Sequence, residues 1–525
     1  MGKCPTAGRW ERPAGPMKQC LCAAAAAASA LGIIYLLYHH FAVLQGLTAV
    51  PPPLRVLKEE YTVWPPFIAR LPHTQEWYTH QCFDGRTSED LEEIFDSLIP
   101  TWAESPHPEC QEAYRRFVEL YEVHHRVSRP LEIPSAFAET VKGWLGGDEL
   151  FHEKINKQRI THVFQPLTAE HVVYNPVRAQ RPMPGGGVDI FKWVDERVAK
   201  TKADCDFCRY NTRTVVDKFG RHETQDTVRL SNTFKMEAHH SMVVPSHVHH
   251  PLHLPRDLVM KLFEDATQWF FDVSQQEPHF MCVCVFVCIC ILVCRHEWME
   301  SYEVLSKKYY ISLLSCNTEK VILRLLVLLS IVLSSTTRYP NLAWDSLFHA
   351  GASQIHPHIH MMLAPDHYYG SMEGLRTAAQ AYYRTTGKNY FTSLVSIHDA
   401  LGLAVEYGDA VALASLGGKG DMEVMFLCDY PSKDFFSLIY FTVQAYHDTF
   451  RQPCKSMAGA WPALGTTHNA SQGRLPAIAR MVSRGDCASI RADFSTFEIY
   501  QAVFKIHTPW QVAAAIREAI KKYDK

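Results

Sequence analysis

The chain has 525 residues, with 52 Lys plus Arg against 55 Asp plus Glu, for a formal charge of -3. Hydrophobic residues are 47% and charged residues 20%, a globular balance that argues against a mostly disordered chain and, at this length, for two or three folded units. The near-zero charge argues against a dedicated nucleic-acid binder, because neutralising phosphates calls for a basic surplus. Of the 16 cysteines, Cys282, Cys284, Cys288, Cys290 and Cys294 crowd one apolar run, which does not suit an ordinary extracellular disulfide framework.

In chain order, residues 1–50 come first. No Asp, Glu, Lys or Arg occurs from Gln19 to Leu54, and Ala23–Leu44 is apolar enough to span a hydrocarbon layer that needs about 20 helical residues. Lys3, Arg9, Arg12 and Lys18 precede that run, so the positive-inside bias predicts a single-pass membrane protein, in an endomembrane for example, with a cytoplasmic N-terminus. The alternative is a cleaved leader that delivers a soluble enzyme to an organelle. Residues 51–165 begin with the stiff spacer Pro51-Pro52-Pro53 and continue as a helical extension. Its amphipathic stretches are 88–99 and 110–125, with apolar positions three and four apart.

Residues 280–338 are anomalous. HFMCVCVFVCICILVC (279–294) is apolar but short for a span, and VILRLLVLLSIVLSS (321–335) carries Arg324 within it. Either this is a membrane-associated hairpin or it is not native coding sequence, and the second reading is preferred because the flanks read as one interrupted fold.

The strongest chemical signal is GASQIHPHIHMML, residues 351–363. His356, His358 and His360 are spaced by two, so a strand would stand three imidazoles on one face and turn Ile355, Ile359 and Met361 to the other. Gly351, Ala352 and Ser353 precede them, small enough for a phosphate to approach the backbone. A neutral imidazole is a competent nucleophile toward phosphorus. An isolated HxH usually holds a metal; the GAS step and the third histidine favour phosphorus chemistry. Cys205 and Cys208 form a CxxC whose thiolates can reach one zinc from a tight turn, leaving a tetrahedral ion two ligands short; a redox pair is the alternative.

The HPH strand after a GAS step resembles the active strand of the histidine-triad superfamily, in its branch of galactose-1-phosphate uridylyltransferase and related phosphorylases. VVYNPVRAQRP (172–182), CDFC (205–208), SNTFKMEAHHSMVVPSHVHH (231–250) and PAIARMVSRGDCASIRADFSTFEIYQ (476–501) resemble further segments of that branch in the same order. The likeness covers about 165–280 and 339–525. It implies an α+β fold of two related antiparallel half-sheets with flanking helices: a catalytic half over 166–370 with 280–338 projecting from it, and a second half over 371–525.

The resemblance also implies roles. His358 is the expected nucleophile, forming a nucleotidyl-histidine intermediate, with His360 and Ser353 assisting. Arg178, Arg181, Ser353 and Gln354 are expected to bind substrate, and Cys205, Cys208, His247 and His356 to hold a structural zinc. His249, His250 and His253 crowd the same turn as His247, while His239 and His240 read as packing or surface residues. The expected partner is a nucleotide-sugar or sugar phosphate, not nucleic acid, with a homodimer as a further expectation. His360 stands where the uridylyltransferases commonly have Gln, which makes hydrolysis or phosphorolysis an alternative. Asp345-Ser346-Leu347 replaces an expected Asn-x-Gly, and a carboxylate there would repel a phosphate. A catalytically silent nucleotide-binding scaffold is the reading of a different class.

Overall fold

A computed structural model describes residue 67 and residues 73–88, 90–181, 188–276, 338–465, 475–488 and 496–524. The apolar run 23–44, residues 280–337 of the insert and the Pro-rich spacer 51–53 lie outside the described residues. Thirteen strands are described. β1 (Glu122–Val127), β2 (Arg159–Gln165) and β3 (Glu170–Tyr174) are followed by β4 (Thr227–Ser231) and β5 (His239–Pro245). β6 (Tyr339–Asp345) and β7 (Ile359–Ala364) flank the triad loop, and β8 (Ala404–Tyr407), β9 (Ala410–Ala414) and β10 (Val424–Cys428) follow. β11 (Lys455–Ala460), β12 (Ala477–Ser483) and β13 (Ala502–Lys505) complete the set.

β4 to β12 form one nine-stranded antiparallel sheet in the order β4-β5-β7-β6-β11-β12-β10-β9-β8. Its left part, β4-β5-β7-β6, is repeated in reverse by β9-β10-β12-β11, and the two copies join where β6 pairs β11. Each copy has a long helix between its second and third strands, Arg256–Gln276 in the first and Lys433–Asp448 in the second. The two expected half-sheets are therefore one continuous sheet with an internal repeat. β1, β2, β3 and β13 form a separate four-stranded sheet, with β13 parallel to β3.

Local sequence explains the main helices. Ser432 accepts the Phe435 N–H and starts Lys433–Asp448, while Thr508 and Gln511 form a capping box ahead of Pro509–Tyr523. These two helices and Arg256–Gln276 bury their apolar faces on one side of the large sheet, against Ile359, Met361, Leu363, Ala477, Ala479 and Met481. The opposite side of the second copy is covered too. Met425, Leu427 and Ile478 pack there with Val163, Val172 and Tyr174 of the small sheet and with helices Gly370–Thr386 and Tyr390–Ala400. Covered on both faces, VMFLC and AVALA are continuous apolar strands without alternation. The opposite side of the first copy instead carries His360.

Three expectations change. Residues 51–165 are not wholly helical: the helix expected over 110–125 is Pro108–Leu120, and EVHHRV then extends as β1 because it pairs with β2. The membrane placement is corrected, since no helix among the described residues is long and apolar enough to cross a membrane. The expected homodimer gains no support. Cys82–Cys110 and Cys454–Cys487 are disulfides.

Candidate active site

The triad segment begins where β6 ends at Asp345. Ser346 Oγ donates to the Pro453 carbonyl at 3.0 Å and receives the Lys455 N–H at 2.9 Å, so the chain leaving β6 is tied to the start of β11. A 3-10 turn at Phe348–Ala350 then ends on Gly351 at φ 106°, a left-handed conformation that favours glycine, and Ser456 Oγ holds the Ala350 carbonyl at 2.9 Å. A Cβ on Gly351 would lie in contact with Asp345 Oδ2 at 3.4 Å.

The three imidazoles do not form the expected row on a strand. Only His360 lies in β7; His356 and His358 precede it, buried, and point to different partners. His356 Nε2 donates to the Pro245 carbonyl at 2.9 Å, so its Nδ1 carries a lone pair. That Nδ1 lies 3.6 Å from Cys205 Sγ, 3.4 Å from Cys208 Sγ and 3.3 Å from His249 Nδ1. Cys208 Sγ is 3.4 Å from His249 Nδ1, and the four donor atoms lie within 4.8 Å of one another. A tetrahedral zinc with bonds of about 2.0 Å to nitrogen and about 2.3 Å to sulfur sets donor separations of about 3.3–3.8 Å. The four side chains fit such an ion, and His249 Nε2 is steadied by Thr201 Oγ1 at 3.1 Å, the outer hydrogen bond that a ligating imidazole usually has. It is His249, not the expected His247, that stands in this cluster. After β5 ends at Pro245, His247 is exposed, and the chain turns inward only at His249.

His358 Nδ1 donates to the carbonyl of His356 at 2.9 Å. A neutral ring anchored in this way carries its lone pair on Nε2. Burial lowers the His358 pKa, opposed by the bond to His356 and by the Asp345 charge, and the ring packs edge-on to Phe207 at 5.3 Å. Asp345 is itself mostly buried, which raises its pKa, opposed by a bond to Ser456 and by the neighbouring His358 and Lys455. Ser353 is exposed and Gln354 half-buried beside the triad.

His360 has a partner that sequence reading set aside. The Met236 N–H donates to His240 Nδ1 at 3.1 Å, so neutral His240 carries its proton on Nε2, which lies 3.0 Å from His360 Nδ1. Burial pushes His240 down to about 4 and His360 down to about 3, so both are neutral at pH 7. The relay leaves His360 with its own proton on Nε2. His240 is thus neither surface nor mere packing, although His239 is half-buried at the strand start. The clue in the sequence was a histidine on an otherwise apolar strand, HSMVVP, whose buried polar atoms need partners. Arg178 and Arg181 lie elsewhere, beyond β3 of the small sheet, and no contact among the described residues joins them to the triad.

No family model matches the chain, and no curated protein matches it. Solved structures do. An ADP-glucose phosphorylase from Arabidopsis thaliana with bound ADP-glucose is 14% identical, covering 68% of this chain and 99% of that one with a TM-score of 0.45. A uridylyltransferase is 14% identical over 68% of this chain and 98% of its own, with a TM-score of 0.39. Yeast Ap4A phosphorylase in complex with AMP is 11% identical over 75% of this chain and 94% of its own, at a TM-score of 0.27.

Proposed function

We propose that the chain is a nucleotidyl-transferring enzyme acting on a nucleotide-sugar or sugar 1-phosphate. The observation that carries this reading is the His358 ring, buried, with Nδ1 committed to its own main chain and Nε2 left as the nucleophile. In the first step Nε2 forms a bond to the α-phosphorus while the bond from phosphorus to the leaving phosphate oxygen breaks. In the second, an acceptor phosphate oxygen forms the new bond and the P–N bond breaks, returning the lone pair to Nε2. Ser353 and Gln354 are proposed to meet substrate at the loop, and His360 Nε2–H to donate toward the charge that develops on phosphate oxygen.

Zinc is proposed at Cys205, Cys208, His249 and His356, where it would clamp the CxxC turn to the residue two before the nucleophile and supply structure alone. With four protein ligands the set is closed, so no position is left for substrate. A hydrolase or phosphorylase with the same intermediate is the second reading, favoured by the proton that the His240 relay sets on His360 Nε2, since a donor there can assist release to water or orthophosphate.

The test is incubation with nucleotide-sugars labelled at the α-phosphate. The expected product is a protein adduct stable in alkali and lost in acid, absent in His358→Gly while bound zinc stays at one per chain. An adduct that maps to another residue, or full turnover in His358→Gly, removes the mechanism. No adduct from a broad panel favours the silent scaffold.

A further inference from the structure

The start of β11 supports the triad loop. Ser346, the first residue after β6, is held by Pro453 and Lys455, and Ser456 holds the Ala350 carbonyl. Cys454 stands in the middle of that support and is fully buried. Its carbonyl accepts the Arg484 N–H at 2.8 Å, and its sulfur is bonded to Cys487, in the chain just after β12.

The two sulfurs belong to a small apolar cluster, separate from the two main cores, that also contains Leu347, Ala350 and Ile355. All three lie in the triad loop, and Ile355 adjoins His356. Ile190 and Val194 of the helix before the CxxC turn complete one side, and Leu252, three residues after His249, another. Close packing passes a shift at one member to the rest, so the state of this bond is felt where the nucleophile is positioned. The turn that carries Cys487 leaves the sheet through Gly485, at φ 69°, and exposes Asp486. Opening it locally breaks one main-chain bond to Cys454 and brings the sulfur within reach of a thiolate. The other disulfide, Cys82–Cys110, joins the helices Gln75–Cys82 and Pro108–Leu120 in a core that contains no residue of 345–358.

We propose that Cys454–Cys487 is a redox-sensitive positioning element for the triad loop, which releases the loop and slows nucleotidyl transfer when a dithiol reduces it. A reductant thiolate attacks one sulfur, the Cys454–Cys487 bond breaks, and a mixed disulfide forms. The second reductant thiol then displaces the protein sulfur. The dithiol leaves as a cyclic disulfide, having given two electrons and two protons to the cysteines. The proposal rests on the reading of His358 as nucleophile, since it names a control on that site.

The experiment equilibrates the full chain in dithiothreitol buffers of graded reduced-to-oxidised ratio. Free thiols are mapped by alkylation, bound zinc is counted, and the initial rate of adduct formation is measured. As thiols appear at 454 and 487, the rate should fall about tenfold to a hundredfold, the usual cost of a slightly misplaced group, while zinc stays at one per chain. Reoxidation should restore it. Cys82→Ser with Cys110→Ser should keep this response, and Cys454→Ser with Cys487→Ser should be slow and indifferent to the buffer. A bond that stays oxidised in excess dithiothreitol, a rate unchanged on its reduction, a fall that tracks zinc loss, or a response that survives the Cys454/Cys487 variant would each overturn the proposal. The mapped titration of the unchanged chain decides the matter if that variant folds poorly. Hydrogen exchange over 346–358 separates this proposal from the reading of His358. Exchange should quicken on reduction whether or not an adduct forms, and unchanged exchange removes the switch.

Discussion

The two copies within the large sheet place different chemistry at equivalent positions. Ala343 and Ala458 face each other across the seam; Ala343 pairs with His360 and Ala458 with Arg480. On their far sides His360 pairs with Met242 and Arg480 with Met425. His360 and Arg480 therefore occupy the same place in the repeat. Two residues before each Met stand His240 and Glu423, and each bonds diagonally to the residue that pairs with that Met: His240 to His360, Glu423 to Arg480 at 2.7 Å. Two residues before Arg480, where the first copy has His358, the second has Ile478, fully buried in the apolar core. One copy keeps neutral imidazoles on its face; the other has an ion pair and a hydrocarbon. The difference follows from what covers that face. The small sheet lies over the second copy, and Glu170 of β3 accepts from Arg480 at 2.5 Å, so this face is closed by packing and charge. Over the first copy lie Phe207 and the CxxC turn.

This contrast is broken most severely at Arg480. Its guanidinium joins Glu423 to Glu170 between the two sheets, and all three side chains are buried. Arg480→Met would strand two carboxylates in the core, a loss of about 3–5 kcal/mol, read as a lower midpoint in urea unfolding. Replacing all three together by apolar residues of similar volume should recover most of that loss. If Arg480→Met alone is neutral, the pair does not fasten the small sheet.

Next in size is the proposed metal clamp of the first copy, which has no counterpart among the described residues of the second. Cys208→Ala or His249→Ala should take bound zinc from one per chain to none and lower the unfolding temperature; His247→Ala should leave both unchanged. Elemental analysis after dialysis against a mild chelator decides this. Zinc lost from His247→Ala and retained by His249→Ala would reverse the ligand assignment.

The relay is a smaller effect. His240→Ala should leave adduct formation on His358 in place but slow release by about tenfold to a hundredfold, because His360 is no longer held in the Nε2–H tautomer. A structural role alone would lower labelling and release together. His240→Gln, which can still donate through its amide, should restore part of the rate.

The sequence was most legible where chemistry is local. The GAS step, the HxHxH spacing and the CxxC are contiguous, and the closing helix Pro509–Tyr523 carries its own capping box. It was less legible where an outcome depends on distant pairing. EVHHRV follows a helix with no punctuation, and only its pairing with β2 makes it a strand. HVHH offers three imidazoles within four residues, and which one turns inward depends on where β5 ends. His240 and His360 are 120 positions apart, so no spacing links them.

The smallest effect is at the seam, where the two copies meet. Ser346 and Lys455 face each other just past the pairing of β6 with β11, and they exchange main-chain and side-chain bonds. One is a small hydroxyl; the other is a fully buried lysine whose Nζ lies over the Trp344 ring at 3.5 Å, near Asp345. Burial pushes Lys455 down to about 7, opposed by the Asp345 charge. The unfolded chain keeps this lysine charged to about pH 10.4, so between about 7 and that value it binds more protons than the folded chain. Stability contributed through Lys455 is therefore lowest below pH 7 and rises with pH across this window. Lys505 on β13, pushed down to about 8 by burial, acts in the same direction, so the whole-chain profile cannot isolate one of them. The difference between the wild type and Lys455→Met can. The gap in unfolding free energy between them should move in favour of the wild type as pH rises from 7 to 9.5. A gap that stays flat over that range would mean the seam lysine remains charged, held by Trp344 and Asp345 together.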